Sequence, residues 1–167
     1  KRLSLDDSLI SYIPEYRTQY RDQVLIRHLL TYTLGNTTPL SSLASQTPAE
    51  IFAAVCGEET GVPGTHFAYS NTPAFLLGVV IERILTMLLN TAAHERIFKP
   101  LHMAATTFSP RGAVPTEEGV VDIVHDESAR AFARAGTPVG HAGLFSTAPD
   151  LMQFLEHLLK NPDERLC

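Results

Sequence analysis

Cysteine is scarce in this chain of 167 residues: Cys56 and Cys167 are the only two, and they stand far apart. Two cysteines cannot build the disulfide framework of a small secreted scaffold. No C-x-x-C, C-x-x-C-H or zinc-ribbon spacing is present. The pair reads as one buried thiol and one tail thiol rather than as a bridge. Lysine is also rare, limited to Lys1, Lys99 and Lys160, and no run of Lys and Arg forms. With 13 basic against 18 acidic residues, the net charge is −5. That balance argues against a nucleic-acid partner bound by phosphate neutralisation and against a polybasic membrane patch.

Long apolar runs are missing too. The longest, residues 74–89, is interrupted by Glu82 and Arg83 and is too short and too charged to be a membrane segment. Neither a signal peptide nor an initiator methionine opens the sequence, which therefore reads as a piece of a longer or processed protein. What is present is globular: 44% of residues are hydrophobic and 19% charged. This is not the composition of a disordered chain, and the length suffices for a core without staples.

The common catalytic strings are also absent. There is no G-x-S-x-G, no P-loop and no G-x-G-x-x-G, and His94-Glu95 lacks the second histidine of H-E-x-x-H. Only His125-Asp126-Glu127 groups a histidine with carboxylates, and adjacent residues rarely converge on one metal, so no metal site is expected. Arg96 stands three residues before Lys99 and His157 three before Lys160, so no Ser-x-x-Lys exists in the chain.

The pattern of what remains is helical. Asp6 and Asp7 can start a short helix through Leu9, Ile10 and Ile13, and residues 24–30 fit a second. Residues 35–47 read as loop. Thr47, with Pro48 next and Glu50 three later, predicts a capped helix ending near Gly57. After a turn at residues 61–64 and an extended piece at 65–68, Ser70-Asn71-Thr72-Pro73 opens the strongest helix. Its apolar residues from Phe75 to Leu85 cover most of its circumference, as in a central buried helix. A helix over residues 91–98 follows. Residues 109–141 form a long irregular region with one short helix at 128–134. Thr147 with Asp150 caps a last helix, broken at Asn161-Pro162-Asp163. The reading is a single mainly α unit over residues 1–167, with any sheet largely elsewhere.

The string Pro63-Gly64-Thr65-His66-Phe67-Ala68-Tyr69-Ser70-Asn71-Thr72 resembles the Tyr-x-Asn motif of the serine β-lactamase and penicillin-binding-protein-like family, class C type. That family includes esterases and D,D-peptidases. Further blocks match it in order: residues 3–7 with Ile13-Pro14, residues 26–31, Leu76-Leu77-Gly78 with Ile81-Glu82, residues 97–101 with Met103, residues 106–108, and residues 140–147 with Asp150-Leu151. The resemblance covers nearly the whole chain. It implies the helical subdomain of the β-lactamase/transpeptidase-like α+β fold, with the central sheet largely missing. It departs from the family in lacking Ser-x-x-Lys, in carrying Tyr32 and Leu34 where His and Ser are frequent, and in placing Pro73 where Gly is common.

The resemblance implies a serine hydrolase parent that acts on amide, lactam or ester carbonyls through an acyl-enzyme, without a cofactor. Its substrate would be a small molecule or peptide. The family is commonly exported in bacteria, which points to a periplasmic or extracellular setting. Tyr69 would be the catalytic tyrosine that moves a proton between nucleophile and leaving group, and Asn71 would bind the substrate carbonyl. Read from the residues alone, Tyr69 fits a loop–helix junction and Asn71 fits a helix N-cap. His125 and Asp126 lie in the irregular region, which in relatives borders the cleft; a surface turn is the alternative. His141 stands in a His-x-Gly string like the third motif, though its place before the last helix fits another block better. Without its serine the chain is expected to be inactive alone. The alternative is a non-catalytic interaction module: a hydrolase subdomain without its sheet is expected to self-associate through exposed apolar surface, whereas a module is expected to be monodisperse with a defined partner.

Overall fold

The computed structural model describes residues 3–36 and 38–161. The α-helices follow in the order α1 (Ile26–Leu30), α2 (Pro48–Gly57), α3 (Asn71–Leu85), α4 (Leu89–Ala93), α5 (Glu127–Arg134) and α6 (Ala148–Lys160). Single 3-10 turns lie at Leu9–Ser11, Arg21–Gln23 and Leu40–Leu43, and α4 runs on into a π-helical turn at His94–Phe98. Among the described residues antiparallel pairing is confined to isolated bridges, such as Asn36 with Thr60 and Thr107 with Phe145. Among the described residues the chain is mainly α without a central sheet, as its resemblance implies. Cys167 and the Pro162-Asp163 break lie outside the described residues; Cys56 is a buried free thiol whose pKa burial pushes up to about 11.

One hydrogen bond explains two differences from the expected helices. The Leu9 N–H donates to the Val24 carbonyl at 2.9 Å, and Ser8 pairs with Leu25. This pairing holds residues 24–25 extended, so α1 begins only at Ile26. It also limits the first segment to one 3-10 turn, while the Asp7 carboxylate accepts from the Ser4 N–H and the Tyr12 hydroxyl. Elsewhere local chemistry prevails. Thr47 and Glu50 close a reciprocal capping box at the start of α2, with Pro48 in the first turn.

Helix α3 runs through the middle of the core. Phe75, Leu76 and Val80 are buried with Leu9, Ile13, Ile26, Leu29 and Ile51. The Phe75 ring packs against Phe52 of α2, Phe132 of α5 and the His141 imidazole, with centroids 6.5, 5.3 and 6.1 Å away. Glu82 and Arg83, the two charges that interrupt the apolar run, both bind at the far end. The Glu82 carboxylate accepts from the Leu89 N–H at 2.8 Å, which starts α4 earlier than the apolar spacing predicts. Arg83 makes a bidentate pair with Glu15 and donates to the Tyr12 carbonyl. The pair is part-exposed, so its worth is about 1 kcal/mol at most.

The other side of α3 meets the chain before α6 at very close range. A Cβ on Gly140 would stand 2.4 Å from the Ala74 carbonyl oxygen, and one on Gly78 would stand 3.0 Å from the Gly140 nitrogen. Only two glycines allow this approach. Helix α6 is attached chiefly at its start: Asp150 is buried, its carboxylate accepting from the Ala105 N–H at 2.8 Å and the Thr106 hydroxyl at 2.7 Å. Beyond Asp150, Leu151, Leu155, Leu158 and Leu159 are exposed. No single helix among the described residues is long and apolar enough to cross a membrane.

Two substitutions test this packing. Gly140→Ala is expected to lower stability by about 1–3 kcal/mol, because backbone must move to admit the methyl group. Thr86 ends α3 at φ 54°, a left-handed conformation that is unfavourable for a β-branched residue. Thr86→Gly is expected to raise stability by about 1 kcal/mol. Chemical denaturation midpoints of both variants check the signs.

Candidate functional site

The approach to α3 is a ladder of backbone hydrogen bonds. Gly61 donates to the Gly35 carbonyl at 2.8 Å, Gly64 to Thr33 at 2.8 Å and Ala68 to Tyr32 at 2.9 Å. Residues 61–68 are thereby laid along residues 32–35 and delivered to the start of α3. Tyr32 sits at φ 54°, a strained backbone position for a bulky side chain that the ladder holds in place. Its ring stacks on Tyr69 at 5.4 Å and meets Phe67 edge-on at 6.2 Å. Tyr69 is 74% exposed and Phe67 72%, so both present open faces. Among the described residues the Tyr69 hydroxyl makes no hydrogen bond, which leaves it available to a ligand.

The helix cap is Ser70 rather than Asn71. The Ser70 hydroxyl oxygen accepts from the Thr72 N–H at 3.2 Å, and the buried Asn36 side chain donates to it at 2.6 Å. Ser70 is extended, with φ −156° and ψ 155°, and joins Tyr69 to Asn71, the first residue of α3. Relieved of capping, the Asn71 amide nitrogen donates to Asp126 Oδ2 at 2.9 Å.

Asp126 in turn caps α5. Its Oδ1 accepts from the Ala129 N–H at 2.8 Å and from the Ser128 hydroxyl at 2.6 Å. His141 Nε2 lies 3.4 Å from the same oxygen and 3.1 Å from Ser128 Oγ. Three residues named from the sequence, Asn71, Asp126 and His141, thus converge from three parts of the chain. His125 does not join them; its Nδ1 lies 2.8 Å from Thr116 Oγ1 and 3.7 Å from a Glu117 oxygen. Ser128 was missed by the sequence reading, although Asp126 three residues before Ala129 is a recognisable cap pattern.

Ser128, His141 and Asp126 do not form a nucleophilic triad. Serine and carboxylate approach the same imidazole nitrogen, whereas a triad needs one on each. Ser128 is fully buried and gives its hydrogen to Asp126. Nε2 must then carry the hydrogen that faces these oxygens, and the neutral ring leaves Nδ1 bare. That nitrogen is buried without a partner among the described residues, and the side chain is only 1% exposed. Burial pulls the His141 pKa below its ordinary value, against the opposing pull of Asp126. Burial pushes the Asp126 carboxyl up, but the Ser128 hydroxyl, the Ala129 N–H and His141 together hold it below the usual carboxylate range. Among the described residues no group of three His, Cys, Asp or Glu side chains is arranged to hold a metal ion.

This electrostatic arrangement fixes the sign of a pH effect. The unfolded chain protonates His141 near its ordinary pKa of about 6.5 while the folded chain resists, so stability falls as pH drops below that value. His28, also lowered by burial and by Arg27, acts in the same direction. Depressed carboxylates such as Asp126 add a further loss at lower pH, as the pH falls through their folded values. His141→Gln, which keeps an N–H donor and removes the titration, is expected to flatten the stability profile between pH 7 and 5 without abolishing its slope. Denaturant melts at several pH values measure this.

Comparison with known proteins places this geometry. The chain is 27% identical over 179 residues to the protein flp of Staphylococcus aureus (strain COL), a match covering 98% of this chain and 35% of that protein. It superposes with a TM-score of 0.67 and 24% identity on a D-stereospecific amidohydrolase from Streptomyces sp., covering 96% of this chain and 54% of that one. The D-amino acid amidase from Ochrobactrum anthropi SV3, solved with D-phenylalanine, gives a TM-score of 0.66 at 23% identity, covering 96% and 50%. The chain therefore spans from about a third to about half the length of these proteins. It has the helical part of the β-lactamase/transpeptidase-like fold. The family model described as Beta-lactamase matches residues 1–166, and the chain belongs to that family.

Proposed function

We propose that this chain is the helical, Tyr-x-Asn-bearing part of a serine hydrolase that cleaves amide, lactam or ester carbonyls through an acyl-enzyme. The observation that carries this reading is the exposed Tyr69 two residues before an Asn71 amide held by Asp126 at the start of α3. Tyr69 passes a proton between the attacking serine and the leaving group. Asn71 binds the carbonyl side of the substrate. The nucleophile comes from a Ser-x-x-Lys elsewhere in the parent polypeptide, since none occurs in these residues.

The solved relatives are named as a D-stereospecific amidohydrolase and a D-amino acid amidase. A D-amino acid amide is accordingly the first substrate to try on the full-length protein, with an aromatic one favoured by the Tyr32, Phe67 and Tyr69 rings. Tyr69→Phe is expected to lower kcat by about a hundredfold or more, within the range for removal of a proton-transfer group. The 167-residue chain by itself is expected to show no turnover and no covalent labelling by penicillin or a fluorophosphonate. A labelled serine within it would overturn the assignment of the nucleophile to another segment.

A second reading, as a non-catalytic interaction module, is favoured by the exposed apolar face of α6, where Leu159 is 82% exposed. Sedimentation at several concentrations separates the two. A hydrolase part taken alone self-associates through that face, whereas a module with its own partner stays monodisperse.

A further inference from the structure

We propose that Asp126 is a positioning residue that fixes which way the Asn71 amide faces, so that its carbonyl oxygen and one N–H are presented to the ligand in a single orientation. The inference rests on the reading of Asn71 as a substrate-binding residue. It starts from the donor inventory. A carboxylate carries no hydrogen, so the group that Asn71 turns toward Asp126 Oδ2 at 2.9 Å must be its nitrogen. The carbonyl oxygen is thereby turned away from Asp126. An amide lacking this restraint could rotate and exchange donor for acceptor, and a carbonyl ligand would then meet an oxygen instead of an N–H.

Asp126 is suited to this role because its other oxygen is fully engaged. The Ala129 N–H and the Ser128 hydroxyl hold Oδ1, and the His141 Nε2–H stands 3.4 Å away. The carboxylate cannot swing without uncapping α5. His141 is set by the Gly140 contact with α3, the helix that begins at Asn71. The restraint is therefore a closed circuit: α3 to Gly140, Gly140 to His141, His141 to Asp126, and Asp126 back to the first residue of α3. Hydrogen bonds to charged groups are the stronger ones, which makes a carboxylate a firmer anchor than a neutral amide.

Asp126→Asn isolates the effect. Asparagine caps helices about as well as aspartate, so its oxygen keeps Ser128 and Ala129. Its NH2 group then replaces Oδ2, and Asn71 must rotate to offer its oxygen. In the full-length protein, D126N is expected to keep the melting temperature close to wild type while kcat/KM for a D-amino acid amide falls about ten- to a hundredfold. The double variant N71D/D126N re-forms the bond with the partners exchanged. It is expected to stay as stable as wild type and not to regain activity, whereas recovery of activity would show that the bond is only a strut and overturn the proposal. If D126N does not fold, Asp126→Ser is the second variant, because serine also caps α5 but cannot reach Asn71. A stable D126N or D126S with unaltered kcat/KM overturns the positioning role. So does a loss of activity in both that is matched by their loss of folded protein. A wild-type protein that turns over no amide, ester or lactam removes the functional reading itself and the positioning role with it, while an active wild type with an indifferent variant removes the positioning role alone.

Discussion

The approach of Gly140 to the backbone of α3 is the constraint on which the rest of the arrangement depends. A methyl group there would overlap the Ala74 carbonyl oxygen, so the chain before α6 lies against α3 backbone to backbone rather than through side chains. That closeness carries His141 against the Phe75 ring and up to Asp126. It also seats Val139 in the same core as Phe75 and Phe132. Packing at this density transmits displacement instead of absorbing it. An error of a fraction of an ångström at Gly140 would reach Asn71 through groups that have no slack.

Two kinds of force meet at Phe75. Below it the core is apolar and non-directional: Leu9, Ile13, Ile26 and Ile51 exclude water without specifying angles. Above it Asn71, Asp126, Ser128 and His141 form a small polar network with defined donors and acceptors. Burial alone would make such groups unfavourable. Satisfied as they are, they supply direction that an apolar core lacks. The unpartnered Nδ1 of His141 is the exception, and the burial of its ring pulls the His141 pKa down against Asp126.

Much of this was legible in the sequence where local chemistry decides. The Thr47-Pro48-Glu50 start of α2, the Ser70-to-Pro73 start of α3 and the Thr147 start of α6 are all written in caps. The Tyr-x-Asn string marked Tyr69 and Asn71 through resemblance alone. Illegible were the features set by distant partners. Nothing local says that Leu9 will bond Val24, or that the Asp150 carboxylate will turn to Ala105 and Thr106 instead of back to its own helix start. The meeting of Asn71 with Asp126 joins positions 55 residues apart, and no periodicity encodes it. His125 and Asp126 are neighbours in sequence with divergent surroundings, because Asp126 caps α5 while His125 stays on the irregular segment with Thr116.

That irregular segment has a neck. Asp122 accepts from the Gly112 and Ala113 N–H groups at 2.8 and 2.7 Å, so one carboxylate ties the two ends of residues 112–122 together. Between them, Thr116 reaches His125 beside Asp126, at 2.8 Å from its Nδ1. Loop closure grows slowly with length, by about 0.6 kcal/mol per doubling. Apart from Thr116 and Glu117, which meet His125, the stretch from 114 to 121 can therefore change length at small entropic cost. Relatives of this chain could therefore diverge at the rim of the site by rewriting those positions alone, and an engineer could graft a tag or recognition peptide there.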